Sequence, residues 1–260
     1  SPTYPIHFDG VVIAGANLKS LPFKDDLNNF IDDIEASILQ SVKKPKMIII
    51  NFPSNPTTQI ADKDFFEKII AIGKKYDIWI IHDLAYSDIS FDGYKAPSIL
   101  EIKGAKDIAV EFFTMSKSYN MPGWRVGFCC GNQDLIEALK KMKSYLDYGT
   151  FTPIQVAAIK ALNECDEEVD KICNLYKSRR DELCDGLNRV GWSIEKPLAT
   201  MFVWAKIPEG KKSEEITDSV LYDNDIFITP GTIFGSQGEG YIRFSLCVES
   251  EVIKEAISRL

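Results

Sequence analysis

Three short apolar runs constrain this chain more than anything else in it. Lys46-Met47-Ile48-Ile49-Ile50, Asp77-Ile78-Trp79-Ile80-Ile81 and Ile108-Ala109-Val110-Glu111-Phe112 are β-prone, and a polar residue (Asn51, His82, Thr114) follows each within two positions. A strand apolar along its whole length is buried on both faces, as the strands of parallel sheets are. Between the first two runs, residues 61–76 carry an apolar stripe of Phe65, Phe66, Ile69, Ile70 and Ile72. Ahead of the first, residues 25–39 place Leu27, Phe30, Ile31, Ile34 and Ile38 at the spacing of an amphipathic helix. Strand, loop, helix and strand in alternation predict an α/β fold, with βαβ units on a mostly parallel sheet flanked by helices.

Either side of this block the pattern is less regular. Residues 10–15 read as a short strand, 126–130 as another, and 133–145 as a helix. A long helical stretch over 154–190, with a break expected near 163–166, leads into short strands at 191–195, 201–206, 227–229 and 241–246. A helix over 250–260 closes the chain. This predicts two domains, 1–165 and a smaller α+β domain over 166–260.

Composition narrows the partners. At 260 residues, 45% hydrophobic and 26% charged, the chain has the make-up of a soluble globular protein. A net charge of -8 and a pI near 5.0 argue against nucleic acid or an anionic membrane as the main partner. No apolar run approaches the ~18 residues that a membrane span needs. The N-terminus has neither the basic nor the long apolar region of a signal peptide. Cys129, Cys130, Cys165, Cys173, Cys184 and Cys247 form no Cys-x-x-Cys pair and read as buried, reduced thiols of a cytoplasmic protein. His7 and His82 alone give little basis for a metal site.

Open parallel sheets bind ligands beyond the carboxyl ends of their strands. There this chain places Asn55, then Asp83 with Tyr86, then Thr114 and Lys117, with Arg125 following. Lys117, on a short irregular segment past a strand, is a candidate amine nucleophile of the kind that forms Schiff bases. Taken singly, each residue has an ordinary explanation: a solvated lysine, a helix-capping Asp83, a turn-forming Asn55, a surface ion pair at Arg125. Together they supply an amine, a carboxylate, a phenol, an amide and a guanidinium to one edge. A serine hydrolase is disfavoured: Ser118-Tyr119-Asn120 lacks the Ser-x-x-Lys and Lys-Thr-Gly that should accompany it. Residues 235–240 do not fit the dinucleotide-binding glycine pattern.

Ser116-Lys117-Ser118-Tyr119-Asn120-Met121-Pro122-Gly123-Trp124-Arg125-Val126-Gly127 closely resembles the segment around the cofactor lysine of class I (fold type I) aminotransferases, which use pyridoxal 5'-phosphate. Asn55-Pro56-Thr57 and Asp83-x-x-Tyr86 resemble that family's other cofactor motifs, in the right order. Pro230-Gly231-x-x-Phe234-Gly235 followed by Arg243-Phe244-Ser245 is similar to its C-terminal segment. The resemblance spans essentially the whole chain and is nearest the alanine, aspartate and diaminopimelate transaminases. It implies a transferase of amino-acid metabolism, moving an amino group between aspartate or alanine and 2-oxoglutarate through a Lys117 Schiff base.

The resemblance also assigns roles. Lys117, displaced by the substrate amine, would shuttle a proton at the substrate Cα, with Asp83 and Tyr86 as its catalytic partners. Asp83 would face the pyridine nitrogen and keep it protonated. Tyr86 and Asn55 would hydrogen-bond the phenolic oxygen, and Thr114 and Arg125 would bind the phosphate. Arg243, with Asn55, would hold the substrate, its guanidinium gripping the α-carboxylate. A β-lyase or cyclising synthase would use the same residues and stays open. A homodimer is implied, with residues 148–152 near the neighbouring site, although core packing is an equal reading of Phe151.

Two departures qualify the likeness. Thr58 stands where the family usually has glycine after Asn-Pro-Thr. The chain is also shorter than family members and looks N-terminally truncated, so that 1–165 would be a large cofactor-binding domain without its first part. The segments expected to be missing are the N-terminal arm, a glycine/serine-rich phosphate turn, the ring-stacking aromatic and a tyrosine shared across the dimer. A chain without them is expected to bind the cofactor poorly, or to be an inert remnant.

Overall fold

The computed structural model describes all 260 residues. They group into two compact units, one of Lys24–Pro53 and Ile60–Cys173, the other of Ser1–Phe23, Ser54–Gln59 and Asn174–Leu260. The division thus falls at residues 173/174 rather than near 165, and the first segment groups with the C-terminal residues. A main-chain bond ties the first segment to the C-terminal residues: Thr3 N donates to Phe234 O at 3.0 Å.

Helix α1 (Ile6–Ile13) occupies most of the stretch expected as a strand. Pro5 holds a helical φ of -52° at its start, and Gly15 ends it with φ +70°. A short run of β-branched residues does not distinguish helix from strand by pattern, and α1 buries none of its residues.

The sheet unit follows its sequence pattern closely. Helix α2 (Leu27–Leu39) is capped by Asp26, whose carboxylate accepts from Asn28 N at 2.8 Å. It buries Phe30, Ile31, Ile34 and Ile38. Strand β1 (Met47–Asn51) leads to α3 (Lys63–Tyr76), which Asp62 caps in the same way, accepting from Phe65 N at 2.9 Å. Phe66 and Ile69 of α3 are fully buried, each worth about 1.5–3 kcal/mol over an exposed side chain. Lys74 and Lys75 close α3 where its dipole favours cations.

Strands β2 (Trp79–Asp83) and β3 (Ala109–Thr114) then add in parallel, giving the order β1-β2-β3. A single-turn helix α4 (Met115–Ser118) follows β3, and β4 (Gly127–Gly131) returns antiparallel to it at the edge. The mostly parallel sheet therefore ends in one antiparallel strand.

Helices α5 (Gln133–Leu146), α6 (Thr152–Glu164) and α7 (Asp166–Arg189) follow, the last two broken at Cys165 as expected. Helix α5 buries nothing. Met142, Tyr145, Leu146 and Tyr148 are exposed, and so is Phe151 at 71%, which removes the core reading of that residue.

The other unit is built on a three-stranded antiparallel sheet. Its strands β5 (Phe202–Lys206), β6 (Thr229–Pro230) and β7 (Tyr241–Ser245) lie in the order β5-β7-β6. Leu183, Leu187, Val203, Ile242, Leu246 and Ile253 lie in its core, the last from α9 (Ser250–Arg259). Residues 191–195 form no strand, and Phe227 is exposed just ahead of β6. Helix α8 (Ser213–Asn224) was not anticipated: it buries Ser213, Thr217 and Val220, so its inward face is mostly polar and shows no apolar stripe.

The cysteines also differ from expectation. All six are free, but only Cys184 is buried, while Cys130 and Cys247 are exposed. No helix is long and apolar enough to cross a membrane.

Candidate active site

Strand register builds the site. Asn51 pairs with Asp83, and Asp83 with Phe112, so the strand ends align at one edge. Strand β3 runs on to Thr114, opposite Gly127 at the start of β4. Because β4 is antiparallel, the connection over 115–126 turns at this same carboxyl edge. Glycine is required at 127, since a Cβ there would lie 2.6 Å from the Phe113 carbonyl oxygen.

Lys117 lies on α4, half-buried, its Nζ 6.0 Å from the centroid of the Tyr86 ring. Tyr86 is itself buried. Asp83 ends β2, its Oδ1 accepting from Ala85 N at 3.1 Å and its carbonyl from Asn51 Nδ2 at 2.8 Å. Alternation along β2 sends His82 to the opposite face, into the core. There its Nδ1 lies 2.9 Å from Glu111 Oε2 and its Nε2 3.0 Å from the Phe52 carbonyl oxygen. Glu111 accepts further from Ser98 Oγ at 2.7 Å and Ile99 N at 2.9 Å. This buried pair, which braces β2 directly before Asp83, was missed in the sequence. The available signal was one carboxylate inside an otherwise apolar run.

The lysine connection is anchored at its base. Met115 is fully buried with Ala158 and Ala161 of α6, and Phe113, Tyr119, Met121 and Val126 pack on that cluster. Thr114 Oγ1 accepts from Ser116 N at 3.1 Å and donates to Ser116 Oγ at 2.9 Å, a paired hydroxyl that adds Ser116 to the candidates. Burial, reinforced by Asp88, Asp166 and Cys165, pushes the Tyr119 phenol above its ordinary pKa. Asn120 and Arg125 adopt left-handed backbones with φ +49° and +52°; asparagine tolerates this conformation, whereas for Arg125 it costs roughly 1–2 kcal/mol. Such conformations cluster at functional sites. Arg125 is exposed, and its Nη1 donates to the Pro122 carbonyl at 2.8 Å.

The remaining two candidates meet in the other unit. Residues 54–59 form a closed turn in which Ser54 N donates to Gln59 O at 2.9 Å and Thr58 N to Ser54 O at 3.0 Å. Thr58 takes φ +60°, the left-handed conformation that glycine adopts without strain. Within this turn Asn55 is buried, and its Oδ1 accepts from Arg243 Nη1 at 2.8 Å. Arg243 sits in mid-β7, opposite Trp204 of β5 and Thr229 of β6. Its Cζ lies 4.0 Å from the Phe202 ring centroid and 4.5 Å from that of Phe234. Neither ring was identified as functional from the sequence.

Comparison with known proteins gives a consistent result. The family model described as aminotransferase class I and II matches residues 1–260. A glutamate-pyruvate aminotransferase, AlaC, of Escherichia coli is 50% identical over 99% of this chain and 63% of its own length. An LL-diaminopimelate aminotransferase of Halothermothrix orenii is 43% identical, over 100% of this chain and 66% of its own. Among solved structures, apo-BacF of Bacillus subtilis superposes with a TM-score of 0.91 at 34% identity, covering 99% of this chain and 66% of that one. The chain thus spans 63–66% of the length of these relatives.

Proposed function

Given that the chain belongs to the class I and II aminotransferases, a family dependent on pyridoxal phosphate, we propose that it serves transamination between a small or acidic L-amino acid and a 2-oxo acid. Alanine is the favoured donor over aspartate, with 2-oxoglutarate as acceptor, on the strength of the glutamate-pyruvate relative. One observation carries the reading: the Lys117 amine stands beside the Tyr86 ring, at the sheet edge where Asp83 and Thr114 end their strands.

The donor set fits the cofactor. A primary amine suits its aldehyde, a carboxylate its ring nitrogen, a phenol its phenolic oxygen, and the Thr114–Ser116 hydroxyl pair its phosphate. Bound pyridoxal phosphate supplies an electron sink for charge developing at the substrate Cα. Lys117 Nζ would hold it and, once released by the substrate amine, take and return the proton at Cα. Asp83 would keep a proton on the ring nitrogen, since a carboxylate beside it favours the charged form. Tyr86 and Asn55 would donate to the phenolic oxygen. Arg125 would join the phosphate ligands by swinging its guanidinium from the Pro122 carbonyl. The Arg243 guanidinium, already hydrogen-bonded to Asn55, would receive the substrate carboxylate.

A homodimer is part of the proposal, supported by the exposed apolar row Met142, Tyr145, Leu146, Tyr148 and Phe151. Six free thiols fit a reducing, cytoplasmic setting. The test is product analysis with L-alanine and 2-oxoglutarate in the presence of pyridoxal phosphate. Pyruvate with matching glutamate is expected; no pyruvate from L-alanine, but pyruvate and ammonia from an amino acid with a leaving group on Cβ such as L-cystathionine, would mean a lyase instead.

A further inference from the structure

A guanidinium recognises a carboxylate through two parallel N–H bonds, and this works only if its plane is held in the right orientation. Arginine normally spends much side-chain entropy to achieve this. In this chain the orientation is set in advance. Arg243 Nη1 is committed to Asn55 Oδ1 at 2.8 Å, and the Cζ atom packs 4.0 Å and 4.5 Å from the ring centroids of Phe202 and Phe234. Both rings are rigidly seated, with exposures of 7% and 3%. Phe202 comes from β5, while Phe234 lies in the short turn after β6, packed edge-on against Trp204 at 6.0 Å. That turn is itself locked, since a Cβ at Gly231 would lie 2.7 Å from the Tyr241 carbonyl oxygen.

Core packing alone would explain two buried phenylalanines, but not why both faces converge on a cation. We propose that Phe202 and Phe234 are positioning residues for substrate recognition: their π faces fix the Arg243 guanidinium so that it engages the planar carboxylate of the substrate. The inference rests on the reading of Arg243 as the carboxylate site. It predicts that the quadrupole of each ring, and not merely its bulk, sets the affinity for a carboxylate.

Pyruvate and its uncharged analogue pyruvamide are the probes, titrated calorimetrically against the full chain and against Phe202→Leu and Phe234→Leu. Each leucine variant is expected to weaken pyruvate binding about tenfold, with pyruvamide binding changed less than twofold. Phe202→Tyr, which keeps the aromatic face, should stay close to the parent. Should a leucine variant fail to fold, fluorinated phenylalanines provide the same test at nearly constant size. Pyruvate affinity should then fall stepwise with each added fluorine, as the ring face loses negative charge. Unchanged pyruvate affinity in the folded leucine variants, or across the fluorine series, would overturn the proposal; so would equal losses for pyruvate and pyruvamide. Arg243→Gln separates the two levels. If it leaves pyruvate binding intact, the carboxylate site lies elsewhere. If it abolishes preference for pyruvate while the ring variants do nothing, only the role of the rings fails.

Discussion

Two cations, Lys117 and Arg243, are held in opposite ways. Lys117 stands on a single helical turn past the end of β3, its nearest ring 6.0 Å away, in a connection with two left-handed non-glycine residues. Arg243 is set in mid-strand with rings at 4.0 Å and 4.5 Å and a hydrogen bond to a buried amide. The contrast matches the tasks proposed for them. An amine that must form and break a bond, then carry a proton, needs room to move. A guanidinium that reads a flat carboxylate needs a plane that does not move. It follows that the lysine can be removed without harm to the fold, whereas the arginine is part of it.

Lys117→Ala should give the largest effect. Turnover is expected to fall at least about a thousandfold, while stability stays within about 0.5 kcal/mol of the parent. A large loss of stability on thermal melting would break the contrast from the lysine side. Met115→Ala comes next, because it empties a fully buried position under the lysine connection. The expected loss is about 2–5 kcal/mol, read as a lower denaturant midpoint at unchanged slope. Arg243→Gln should cost about 1–3 kcal/mol of stability besides its effect on binding, since it removes a part-buried hydrogen bond to Asn55 and two ring contacts. A variant as stable as the parent would show that the guanidinium is not structural. The smallest effect belongs to Thr58→Gly. Relief of left-handed strain, roughly 1–2 kcal/mol, is partly offset by the added backbone entropy of glycine, leaving a gain of at most about 1 kcal/mol.

The same contrast explains what could be read in the sequence. Lys117, Asp83, Tyr86 and Thr114 sit at the ends of strands whose apolar runs mark them plainly, and the helices between carry clean stripes at Phe65, Phe66 and Ile69. Long-range packing was not legible. Phe202 and Phe234 look like ordinary core residues until β5 and the turn after β6 bring them against Arg243. His82 and Glu111 lie 29 residues apart and become partners only through the β2–β3 register. Helix α8 hid because its buried positions include Ser213 and Thr217, and α1 because Val11, Val12 and Ile13 suit either backbone. The exposure of Phe151 and Arg125 is likewise a matter of what packs nearby, which no local pattern encodes.

The central claim is that Lys117 is the amine set apart for the cofactor. Incubation of the chain with pyridoxal phosphate, reduction with borohydride and peptide mapping by mass spectrometry tests it directly. The predicted result is a visible absorbance that borohydride removes, with the stable adduct concentrated on the peptide carrying Lys117 and absent after Lys117→Ala. An adduct spread over the exposed lysines, with Lys117 modified no more than the others, would contradict it.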